Sequence, residues 1–555
     1  MTIVFAVATV ALVLALVASL RLPDFRAWTH PALLGAGALF VAAMIVRGIA
    51  VEPTIVHADV VGPELVDCVL QSPSPCAGRG ASYGRYGFLL LGGLTRVFGD
   101  DLSAVFRANA VVGALNVVVL AVLAHRLSGS PYGALLAVAV AGTNPVFMRV
   151  AGSEDMHNLG LLLALVALVA MDVFAVTRRA PALVAATLAL CLVIHTRQTF
   201  YVFAPCAFLL AVARGGRDLL KSPGFWAAGV AVTVVLATRI LANAASGGLV
   251  QQMVGVFAEL LLLPTILRHH ALFDVTRFGI LPILMVAAIV RAWRGDEVTR
   301  AVLFVFALNF VLTYPCGMQS PGVEFAQRVS AIACGALLVA IVGAAVLEGR
   351  VAASSRPVAG LVAALVITAL PPLFPGWRVL GVRTPIHQEY LAVAAAAAAL
   401  PPSFTLVKAP TAEATVHGEA RYAGLLARSG KDVRVVPSSA LADAPRPWVF
   451  LEDVECWTYS FRELTGAGDG RPTGPMGEIR WDKVIFARTV SPVRPAPGPR
   501  PECRAFIGEG RAIGPGSLIR EPEDDPPFLF YSDRQIAIQF YELDHERVSS
   551  TGLGG

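Results

Sequence analysis

Charge is scarce in this chain. Only 15% of its 555 residues are Asp, Glu, Lys or Arg, against about 25% in a typical soluble protein, so a wholly soluble fold is excluded. Charge of one sign is not concentrated either. The net charge is +5 and no dense Lys/Arg run occurs, which argues against nucleic acid as a partner. Neither GxGxxG nor GxxxxGK[ST] is present, so a nucleotide site has no support. The eight cysteines form no CxxC or Cys/His zinc pattern. There is no internal repeat of the kind many transporters carry.

Apolar residues are abundant. They make up 56% of the chain and dominate as far as about Pro375, beyond which the composition is that of a soluble domain. A bilayer-spanning helix needs about 20 mainly apolar residues. Twelve candidate spans lie near 1–20, 31–50, 104–124, 132–147, 158–176, 181–195, 199–213, 223–244, 278–292, 299–314, 329–347 and 357–374. Met1 to Leu20 lacks a basic leader and a small-residue cleavage site, so it reads as a retained helix rather than a signal peptide. The expected fold is a polytopic α-helical membrane protein of about 12 transmembrane helices with a C-terminal soluble α/β domain. Residues 1–375 form the membrane part and 376–555 the soluble part.

Basic residues set the orientation. Connections holding Arg21 and Arg26, Arg126, Arg178 and Arg179, Arg214, Arg217 and Lys221, Arg291, Arg294 and Arg300, and Arg350 and Arg356 alternate with less basic ones. By the positive-inside rule these six are cytoplasmic. Both termini and the tail are then external, on the periplasmic or outer face of a bacterial inner membrane. The external loops, at 51–103, 148–157, 245–277 and 315–328, are richer in polar side chains. Within the first, Phe88 to Phe98 reads as a helix lying in the interface. An oxidising exterior permits disulfides Cys68–Cys76 and Cys456–Cys503; four unpaired thiols are the alternative.

In the tail, Phe404 to Val407, Val433 to Val436, Trp448 to Leu451, Phe528 to Tyr531 and Ile536 to Tyr541 read as strands. His387 to Leu400 and Arg421 to Arg428 read as helices. Between about Gly466 and Arg500, Gly and Pro are frequent and no element is legible.

Two acidic clusters, His57-Ala58-Asp59 and Glu154-Asp155, each follow an apolar stretch on the external side. Ionisable groups at a membrane face tend to mark a site. Sugar transfer to a hydroxyl needs a base for the acceptor proton and positive charge for the departing phosphate. Asp59 is the candidate base, with His57 two residues away. Glu154 and Asp155 are further candidate acids. Arg85, Tyr86, Arg197, Arg268, His269 and Arg328 are candidate contacts to substrate or phosphate. A divalent cation held by an acid is an open cofactor. Each residue also has a plainer reading. Asp59 can cap a helix or sit solvated, Glu154-Asp155 can cap the helix near Asn158, and the arginines can contact lipid phosphates. Neighbouring His269 and His270 point apart on a helix, which disfavours them as metal ligands.

These motifs resemble the GT-C superfamily of membrane glycosyltransferases, particularly the protein O-mannosyltransferase and lipid A aminoarabinose transferase branch. Val56-His57-Ala58-Asp59 is similar to the acid of the family's first large external loop. Ser82 to Gly87 through Val97-Phe98-Gly99-Asp100 resembles its amphipathic-helix region, and Asn144 to Arg149 followed by Glu154-Asp155 its second acidic element. Gln327-Arg328 resembles the late external arginine and Gln388-Glu389-Tyr390 the opening of the C-terminal domain. Two departures are visible: Val60 follows Asp59 where the family carries a second acid, and Val329 follows Arg328 where it carries Tyr. The resemblance implies a hexosyl- or pentosyltransferase using a polyprenyl-phosphate sugar donor and inverting the anomeric centre. The acceptor would be a glycan, lipid or protein. It also implies Asp59 as base, Asp155 as second active-site acid and Arg328 as phosphate contact. A flippase or transporter of lipid-linked glycans, or a glycan ligase, is the rival. Against a transporter, charges sit in loops; Arg239 and Asn309 are the mid-span exceptions.

Overall fold

The chain is described by a computed structural model at residues 2–19, 29–55, 85–99, 102–245, 281–313, 323–374, 377, 379–408, 425–427, 429–453, 456, 458–459, 499, 501–520, 530–531 and 535–544. It divides into two compact units. The first comprises Met1–Pro53, Leu65–Gln319 and Val323–Gly381; the second comprises Thr54–Glu64, Ser320–Gly322 and Val382–Gly555.

The first unit is helical. Its elements are α1 (Thr2–Ser19), α2 (Pro31–Ala50), α3 (Arg85–Phe98), α4 (Leu102–Ser128), α5 (Pro131–Gly142), α6 (Pro145–Ala151) and α7 (His157–Thr177). They continue with α8 (Ala180–Ile194), α9 (Phe203–Gly215), α10 (Pro223–Ala245), α11 (Leu281–Ala292), α12 (Glu297–Thr313), α13 (Val323–Arg350) and α14 (Arg356–Ala369). Each of the twelve apolar stretches holds helix. Among the described residues six helices are long and apolar enough to cross a membrane, or seven if α5 and α6 make one broken span. The expected straight span over 132–147 is not observed: α5 and α6 meet at 68°. Pro145 explains the break, because it has no N–H to continue the ladder and disfavours helical geometry at Asn144. Asn144 instead caps α6, its Oδ1 accepting from Val146 N at 2.9 Å.

Burial sorts the helices into layers. In α7 and α13, 83% of the most apolar window is buried; in α2, α10 and α14 the share is 17–22%. The peripheral helices display Val17, Ile49, Leu241 and Val290 on their outer faces. Apolar surface of this extent belongs in lipid, as expected of an integral membrane protein.

Three central helices, α4, α7 and α9, run parallel and are fastened at one end by charge. Asp172, fully buried in α7, accepts from Arg126 Nε of α4 at 2.6 Å. Arg214 Nε of α9 lies 3.2 Å from its other oxygen, and Arg214 Nη2 donates to the Arg126 carbonyl at 2.9 Å. A carboxylate buried in apolar surroundings persists only with such compensation.

The second unit carries a five-stranded sheet. Its strands are β1 (Ser403–Lys408), β2 (Asp432–Pro437), β3 (Trp448–Glu452), β5 (Gly510–Arg520) and β7 (Gln535–Leu543), ordered β2-β1-β3-β7-β5. β4 (Thr458–Tyr459) and β6 (Phe530–Tyr531) form a separate pair. β1 runs parallel to β2 and β3, and β7 antiparallel to β3 and β5. β3, central and buried at all five residues, is the apolar run expected of a strand covered on both faces. Helix α15 (Pro385–Ala396) packs on β5 and β7, and α16 (Pro501–Glu509) on β3. Cys456 and Cys503 form a disulfide that ties α16 to the segment after β3. Cys68 and Cys76 lie outside the described residues. Tyr541 Oη donates to Glu452 Oε2 at 2.8 Å; burial, then this carboxylate, push the phenol's pKa well up.

Candidate active site

Four of the candidate residues, His57, Asp59, Arg268 and His269, lie outside the described residues. Arg85 and Arg328 are described in backbone only, the first opening α3 and the second in the second turn of α13. Glu154, Asp155, Tyr86 and Arg197 are described in full, and all four are buried. Glu154 and Asp155 are 0% and 1% exposed.

The acids sit on a turn between α6 and α7, and several backbone groups of that turn are held. Gly152 N donates to Met148 O at 3.0 Å and closes α6. Ser153 Oγ donates to Val150 O at 2.8 Å and accepts from Asp155 N at 3.2 Å. From α4, one amide nitrogen, Asn109 Nδ2, donates to both Ser153 O (2.7 Å) and Asp155 O (2.8 Å). Two turns further along α4, Asn116 Nδ2 donates to Asn158 O and Oδ1, each at 2.8 Å, while Asn158 Nδ2 returns a bond to Asn109 O at 3.0 Å. Gly113 lies between these asparagines. A Cβ there would fall 2.4 Å from Ala151 Cβ, so glycine is what lets α4 come this close.

Asp155 Oδ1 accepts two bonds from His157: from its backbone N at 2.8 Å and from ring Nδ1 at 2.6 Å. The plainer expectation, a cap on the helix near Asn158, is partly met, since the first bond satisfies a donor at the start of α7. It does not account for the imidazole contact. Arg197 Nη1 stands 4.0 Å from the same oxygen. Arg197 follows α8 on a tight turn, closed by Thr196 N donating to Val193 O at 2.9 Å. Phe200 packs against the imidazole, its ring centroid 5.9 Å away.

The start of α3 meets the same turn. A Cβ on Gly87 would lie 3.0 Å from Met156 Sδ and 3.5 Å from Thr196 Cα, so the absence of a side chain brings α3 against both flanks of the acid. Tyr86 is 2% exposed; its hydroxyl and Thr9 Oγ1 hydrogen-bond at 3.0 Å, and Phe5 of α1 covers its ring. Buried positions Tyr86, Leu91 and Thr95 against exposed Arg96 and Val97 make α3 amphipathic. On the remaining side, buried Arg149 reaches Glu52 O through Nη1 at 3.5 Å, which brings the chain leaving α2 beside α6. Asp155, Tyr86 and Arg197 are therefore gathered at one end of the bundle. Asp172 and its arginines are at the other, fifteen residues beyond His157, or about 22 Å along α7.

Residues 86–241 match the family model for dolichyl-phosphate-mannose-protein mannosyltransferase. The matched stretch contains the whole acid-bearing turn, Tyr86 and Arg197. Over it, the likeness to GT-C membrane glycosyltransferases stands. No curated protein matches the chain significantly. Three solved structures are similar in outline. ArnT from Cupriavidus metallidurans in the apo state is 14% identical with a TM-score of 0.46, covering 94% of this chain and 99% of its own. The same enzyme bound to undecaprenyl phosphate is 16% identical with a TM-score of 0.44, covering 75% and 93%. The oligosaccharyltransferase of Archaeoglobus fulgidus, in complex with Zn and sulfate, is 13% identical with a TM-score of 0.45, covering 72% of this chain; the chain spans 62% of that enzyme.

His157, Asn109 and Asp172 were not singled out from the sequence, although each leaves a trace there. His157 stands two residues after Asp155, Asn109 and Asn116 are seven apart and so share a face of the otherwise apolar stretch 108–124, and Asp172 is the lone acid in α7. Among the described residues, no three His, Cys, Asp or Glu side chains are placed to hold a metal ion.

Proposed function

We propose that this protein is a membrane glycosyltransferase. It moves a sugar from a polyprenyl-phosphate donor to an acceptor hydroxyl on the external face, with inversion at the anomeric carbon. The observation that carries the reading is the buried Asp155–His157–Arg197 cluster at the start of α3, inside the stretch matched by the mannosyltransferase family. A cluster so costly to bury, at a helix-bundle end rather than in loose surface loops, is better explained by chemistry than by solubility.

Asp59 is the proposed base. It is an acid of the first external loop, two residues after His57. Asp59 takes the acceptor's proton as its oxygen attacks the anomeric carbon. The bond to the phosphate breaks on the opposite face, and a single displacement of this kind inverts the centre. Asp155, with Glu154 beside it, orients the acceptor or sugar. Arg197, together with Arg85, Tyr86, His57, Arg268, His269 and Arg328, receives the charge left on the polyprenyl phosphate. The external orientation is supported by the loop arginines and by the Cys456–Cys503 disulfide, which persists in an oxidising compartment.

The test is sugar release from radiolabelled undecaprenyl-phosphate sugars, hexoses and pentoses in parallel, by purified wild type, Asp59→Asn and Asp155→Asn. Loss of about a hundredfold or more in Asp59→Asn, with unchanged melting behaviour, is the expected result. Wild-type turnover in that variant removes the base assignment. Transbilayer movement of the donor in liposomes without any sugar release would replace the reading with a flippase.

A further inference from the structure

The geometry points to His157 as the positioning residue of Asp155, acting through a single ring nitrogen. This role rests on the transferase reading for its catalytic consequence, but the pairing itself does not.

Asp155 Oδ1 lies 2.6 Å from His157 Nδ1 and 2.8 Å from the same residue's backbone nitrogen. Two donors from one residue converge on one oxygen, so the carboxylate cannot rotate about its Cα–Cβ bond without losing both. Asn109 holds the carbonyls either side of Glu154 and Ser153 holds Asp155 N, which fixes the main chain, and Arg197 Nη1 stands 4.0 Å from the carboxylate, beyond hydrogen-bond distance. His157 thus ties the carboxylate to the backbone that these bonds hold. The contact also sets the tautomer, since a neutral imidazole facing a carboxylate with Nδ1 carries its proton there. Phe200 packs against the imidazole, its ring centroid 5.9 Å away, and a Cβ on Gly160, one turn along α7, would lie 2.4 Å from the Phe200 ring. The imidazole is held in turn, and both partners are 0–1% exposed. A carboxylate aligned in this way meets the requirement that reacting groups be held within a fraction of an ångström of their working geometry.

Asparagine and glutamine substitutions separate the claim from a general need for bulk. His157→Asn places its amide nitrogen where Nδ1 stands; His157→Gln places one near Nε2 and leaves Asp155 without its ring donor. The full-length protein in detergent is examined by infrared difference spectroscopy, with the Asp155 carboxylate band assigned by subtraction of Asp155→Asn. The band is expected to shift in His157→Gln and to stay in place in His157→Asn. In turnover with the donor that the wild type uses, His157→Gln is expected to lose about 10–100-fold in kcat with donor KM within about twofold, and His157→Asn to recover most of it. A band unmoved by His157→Gln, or moved equally by both variants, overturns the pairing. A shifted band with unchanged kcat overturns the positioning role. A wild type that releases no sugar from any donor fails the transferase reading alone, because the infrared arm needs no substrate.

Discussion

Asn109 is the side chain on which the acid-bearing turn most visibly depends. It supplies one nitrogen to two carbonyls inside an apolar bundle, where no water would replace the bonds. Asn109→Ala leaves both carbonyls without that donor, at about 1–3 kcal/mol each. The variant is expected to melt several degrees lower in detergent and to lose transfer activity beyond what the stability change explains. Asn109→Asp, which cannot donate to a carbonyl when ionised, should be no better. A melting temperature equal to wild type in both would show that the turn is held by its own backbone. At this scale the sequence was legible only in part. Glu154, Asp155, Tyr86 and Arg197 could be nominated because charge and aromatic hydroxyls stand out beside apolar spans. Asn109 and His157 could not, because their importance lies in which atoms they face, and that is decided by the packing of α4 on α7.

Helices declare themselves when a long apolar stretch has one partner, the lipid, and every stretch so identified holds helix. What periodicity does not reveal is interruption. The expected span at 132–147 breaks into α5 and α6 at Asn144-Pro145, although the dipeptide is a helix-stop signal by itself. In the second unit, β5 was illegible because Gly510, Gly514, Pro515 and Gly516 mask its pattern; its register slips between Ile513 and Ser517, and pairing with β7 is what makes it a strand. Close approach of elements is similarly invisible until the partners are known. Gly113 admits α4 to within contact of α6 and α7, and Gly113→Ala would set its methyl 2.4 Å from Ala151 Cβ, with no flexible side-chain end to yield. The expected outcome is a loss of about 1–3 kcal/mol, read by thermal melting, with a larger proportional loss of transfer because the shift falls on the helix that carries Asn109. Gly113→Ala that melts and turns over like wild type would mean that the interface relaxes without cost.

For the whole molecule, the two ends of the central bundle differ in chemistry. One gathers Asp155, Glu154, His157 and Arg197; the other carries Asp172 clamped by Arg126 and Arg214, with Arg178 and Arg217 beyond it. The positive-inside rule counts the arginines of that second end as cytoplasmic, and two of them have a second function as counter-ions to a buried acid, which leaves Arg178, Arg179 and Arg217 as the cleaner topological signal. Orientation can be read at exposed sites away from both clusters. Asp218 sits in the connection after α9, where its bond to Lys221 at 2.8 Å holds its carboxyl below the usual range; an exposed pair of this kind contributes little to stability, so Asp218→Cys should fold normally. Ser429, exposed before β2, serves for the second unit. In intact cells, with the parent chain as the subtraction control, a membrane-impermeant maleimide is expected to label Ser429→Cys and to reach Asp218→Cys only after the membrane is opened. Protection of Ser429→Cys in intact cells would put the soluble unit inside, and labelling of Asp218→Cys from outside would put the arginine-rich end outside. The acid cluster, about 22 Å up the bundle from Asp172, would then face the cytoplasm, and an external acceptor could not reach it.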